Sequence, residues 1–78
     1  MKYDKDMIIS IIDAVIDGDK PLLEWDYLVY VKHKEPFADY WGARLRDIEL
    51  KFRGQHGKMI TEEGVDALRN LRKELART

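Results

Sequence analysis

At 78 residues the chain has room for one domain and not for two. Its 45% hydrophobic and 37% charged residues point away from a disordered tail and a membrane-embedded protein, and the lack of cysteine removes disulfides, zinc–thiolate sites and thiol nucleophiles. The net charge of −1 gives no bulk attraction to nucleic acid or anionic lipid, yet residues 1–39 hold five Lys against nine acids, and residues 40–78 hold nine Lys or Arg against six.

The first segment, residues 4–17, reads as a helix. Asp6, Ser10, Asp13 and Asp17 line one narrow polar stripe, while Met7, Ile8, Ile9, Ile11, Ile12, Ala14, Val15 and Ile16 cover the rest. Asp4 or Asp6 caps its start, and Gly18 supplies a left-handed stop. A helix this apolar is either central to the core or covered in part by a second chain.

The second segment, residues 19–32, is ambiguous. Asp19 followed by Pro21 reads as a helix start, but Trp25, Tyr27, Val29 and Val31 alternate as a strand would. A helix is expected, because a strand here has few partners with which to satisfy its backbone. His33, just beyond, is placed to cap the end of that helix.

Pro36 opens the third helix. Phe37, Trp41, Leu45, Ile48 and Phe52 follow at helical spacing, with Tyr40 alongside and Asp39, Arg46, Glu49 and Arg53 on the other side. Gly54 is expected to end it, and residues 54–57 to form a turn. In the last segment Thr61 is the N-cap, Glu62 and Glu63 suit the positive end of the helix dipole, and Ile60 and Val65 stand where a hydrophobic staple would. Val65, Leu68, Leu71 and Leu75 form its apolar seam, and Gly64 allows close packing.

The expected architecture is therefore all-α: one compact four-helix domain with helices near 5–17, 20–32, 36–53 and 61–76. The alternative is α+β, a winged-helix-like arrangement with a small hairpin and strands near 25–31, 48–53 and 58–61.

Chemistry-bearing constellations are scarce. His33 and His56 share no metal-ligand spacing with each other, Ser10 is the only serine, and residues 54–58 lack the context of a phosphate-binding loop, so no catalytic residue, metal or cofactor is expected. The apolar stretches 7–12 and 27–31 are far too short to cross a membrane, and no secretory pattern opens the sequence, so a cytoplasmic location is expected.

Two kinds of partner remain. Arg44, Lys51, Arg53, Lys58, Arg69, Arg72 and Lys73 are candidates for a basic patch. The run Ile60-Thr61-Glu62-Glu63-Gly64-Val65-Asp66-Ala67-Leu68 resembles the (L/I)-T-x-E-G-x-x-A-L run that opens the last helix of many winged-helix regulators. That resemblance implies a hairpin wing over residues 50–61 and a nucleic-acid partner. No short helix-turn-helix pair with a basic recognition face precedes it, and the helix that would read DNA carries Phe37, Tyr40 and Trp41 in its first turns.

The favoured partner is a protein. Seven aromatics crowd positions 25–52, and those of the second segment point around all sides of a helix, so some should stay exposed as interface anchors. Ile9, Ile16, Trp25, Tyr27 and Tyr30 are the candidate interface residues of a non-catalytic interaction module of adaptor, inhibitor or immunity-like type, self-associating through its first helix.

Overall fold

In the computed structural model, which describes residues 3–78, four helices follow one another: α1 Lys5–Ile16, α2 Leu22–Tyr30, α3 Pro36–Lys51 and α4 Glu62–Ala76. Local signals set their ends. The Asp4 carboxylate accepts the Met7 N–H at 2.8 Å, and the Thr61 hydroxyl accepts the Gly64 N–H at 3.2 Å. Gly18, at φ +90°, turns the chain out of α1 in a conformation that a side chain would oppose.

The helices pack pairwise and antiparallel. α4 lies along α1, with Arg72 reaching Asp13 and the Lys5 ammonium donating to the Thr78 carbonyl at 3.1 Å. α4 also packs on α3, with Glu74 beside Arg44 at one end and Gly64 against Phe52 at the other. α2 packs only on α3 to any extent. A Cβ at Gly42 would stand 2.6 Å from the Leu28 carbonyl oxygen, so these two backbones meet where only glycine fits. A Cβ at Gly64 would lie 2.7 Å from that of Phe52, as close packing there requires.

One core joins all four helices. Ile8, Ile12, Trp25, Leu28, Val29, Leu45, Leu68 and Leu75 are fully enclosed, each worth about 1.5–3 kcal/mol of transfer free energy for its buried side chain. The radius of gyration, 11.5 Å, equals the value of about 11.5 Å expected for a single compact chain of this length. No helix is long and apolar enough to cross a membrane among the described residues.

Strand pairing over 25–31 and 48–53 is not found. Residues 25–30 belong to α2 and 48–51 to α3; the sole pairing among the described residues is one antiparallel bridge between Arg53 and Ile60. Helix prevails in α2 because Trp25, Leu28 and Val29, at i, i+3 and i+4, all face the core together. Two ends also shift. α2 stops at Tyr30, where Val31 turns extended, and α3 stops at Lys51 because residues 52–54 already turn toward the bridge, so Gly54 is not its cap.

Candidate functional site

α2 is apolar on two opposite sides. Its inner side presents Trp25, Leu28 and Val29, none with any exposed surface. Leu23, Tyr27 and Tyr30, at i, i+4 and i+7, form a stripe on the outer side, which Val31 extends beyond the helix end. Leu23 is 79% exposed and Tyr27 52%; Tyr30, Val31 and Leu22 are also exposed. Exposed Glu24 and Asp26 flank the stripe.

This surface is held in place from below. α2 has no glycine cap, and its terminal carbonyls are taken up by side chains instead. The Arg46 guanidinium donates to the Val29 carbonyl from Nε at 2.8 Å and from Nη2 at 2.6 Å, and a His33 ring nitrogen lies 2.8 Å from the Leu28 carbonyl, the cap anticipated for that histidine. Asp39 accepts the His33 backbone N–H at 3.3 Å. Glu49 accepts the Trp25 indole N–H at 3.1 Å and the Tyr30 hydroxyl. Burial first, and then that hydrogen bond to Glu49, push the Tyr30 phenol above its ordinary pKa. The Arg46 guanidinium lies 5.9 Å from the centre of the Tyr30 ring. The polar side of α3 that carries Asp39, Arg46 and Glu49 is thus largely the seat of α2.

The five interface candidates divide. Trp25 is entirely enclosed and is a core residue, with its indole N–H donating to Glu49. Ile9 and Ile16 are half-buried and pack against the core together with Met7 and Ile11, so α1 leaves no large apolar side chain in the open. Tyr27 and Tyr30 are exposed. Leu22, Leu23 and Val31 join them, though the sequence reading did not single these out. The signal was available: once Trp25, Leu28 and Val29 are assigned inward, Leu23 falls opposite.

A second exposed aromatic pair stands on α3. Phe37 and Tyr40 flank Trp41, with Tyr40 and Trp41 edge to face at 5.1 Å. The Arg44 guanidinium lies 5.7 Å from the centre of the Tyr40 ring and donates to its hydroxyl at 2.9 Å.

Three of the seven basic candidates are paired with carboxylates. Arg44 donates twice to Glu74 at 3.0 and 2.9 Å, which raises its own pKa and lowers that of the carboxyl. Arg72 donates twice to Asp13 at 2.6 and 3.2 Å, with its pKa raised by that hydrogen bond. Arg69 pairs with Asp66 at 3.2 Å. Lys51, Arg53, Lys58 and Lys73 are exposed and make no ion pair among the described residues.

Concavity is slight. A cleft of about 240 Å³ lies between the α1–α2 turn and the loop before α4, lined by Val15, Ile16, Met59, Val65, Lys20 and Lys58 among others. No group of three or more His, Asp or Glu among the described residues is placed to hold a metal ion.

Fold and surface together define the class: an all-α four-helix domain whose second helix is apolar outside as well as inside. The chain matches no protein-family model, no curated protein and no solved structure.

Proposed function

We propose that this protein is a non-catalytic protein–protein interaction module that binds through the outer face of α2. The observation that carries this reading is Leu23, Tyr27 and Tyr30 exposed in one stripe on a helix whose other side is core, with exposed Val31 just beyond its end. Clustered apolar and aromatic side chains in water mark a surface that a partner covers, and Tyr is a frequent anchor of such contacts. Tyr30 is already oriented by Glu49, so less ordering opposes association.

Nucleic acid is the second reading, favoured by exposed Arg53 and Lys58 on the loop that follows α3. Against it, Asp39, Asp47 and Leu50 stand on α3 itself, and three of the seven candidate cations are already held by carboxylates.

A photo-crosslinking side chain substituted for Tyr27, in cells that make the protein, tests the interaction reading. A discrete adduct is expected that is lost with Leu23→Glu and absent when the crosslinker replaces Asn70. No adduct at position 27, together with steeply salt-dependent binding to duplex DNA, would replace the interaction reading with the second.

A further inference from the structure

We draw no further inference here: the strongest candidate, the exposed outer face of α2 with Leu23, Tyr27 and Tyr30, belongs to the site already described, and nothing in the structure shows what covers it.

Discussion

The two helix pairs of this molecule solve the same problem differently. α1 and α4 are amphipathic, bury their apolar seams, and answer charge with charge across the pair, Asp13 to Arg72. α2 and α3 meet backbone to backbone at Gly42, share polar side chains as helix caps, and leave Leu23, Tyr27, Phe37 and Tyr40 in water. One pair is finished by its own chain. The other has apolar surface on both sides of a nine-residue helix, and one core can cover only one side. In the proposed interaction reading, a partner covers those outer rings.

The contrast within α2 offers the largest effect. Trp25→Ala should cost about 3–5 kcal/mol, most of what a domain of this size has, and leave Glu49 without its indole donor. Leu23→Ala should stay within about 0.5 kcal/mol. Urea denaturation of the two variants at a concentration where the chain is monomeric checks this, and equal losses would erase the inner–outer distinction.

Next is the close approach. Gly42→Ala should destabilise by about 1–3 kcal/mol, even though alanine favours a helix interior, because its Cβ would meet the Leu28 carbonyl. Stabilisation in the same denaturation experiment would mean that α2 and α3 do not touch there. Arg46→Leu removes both donors to the Val29 carbonyl and should cost about 1–2 kcal/mol. Amide hydrogen exchange should then speed up in α2 and not in α1; uniform acceleration would show that Arg46 has no particular bond to that helix.

Smallest are the ionic effects. The Glu74 carboxyl is held below its ordinary pKa by Arg44, so the pair's stabilisation is present above the usual glutamate value of about 4.3 and is lost as pH falls through the lower folded value. Glu74 is exposed, so only a slight steepening of acid unfolding is expected, and Glu74→Gln should remove it. At the other end of the scale Tyr30 is raised, so its contribution is complete below about pH 10 and lost above. Ultraviolet titration should show Tyr30 ionising later than free tyrosine, and Glu49→Gln should lower it only in part, because burial is the larger cause.

Much of this was legible in the chain itself. Asp4 and Thr61 as caps, Gly18 as a stop, and the buried seam Leu68, Leu71 and Leu75 act within a turn or two of backbone, so residue type and spacing suffice to place them. The four helices and their order follow from such signals. In the candidate site, Tyr27 and Tyr30 were readable as surplus aromatics, whereas Trp25 was not separable from them. A helix apolar all round has no polar face to betray its orientation, and its inner side is chosen by what lies across from it.

That choice belonged to tertiary structure. Gly42, Arg46 and Glu49 stand 14, 17 and 24 positions from the α2 groups they meet, Leu28, Val29 and Trp25, and no local rule connects them. The sequence by itself determined where helices begin and stop and that apolar side chains outnumber the places to hide them. Only the packed chain decided which remain outside, because burial depends on contacts between distant segments while capping and periodicity do not.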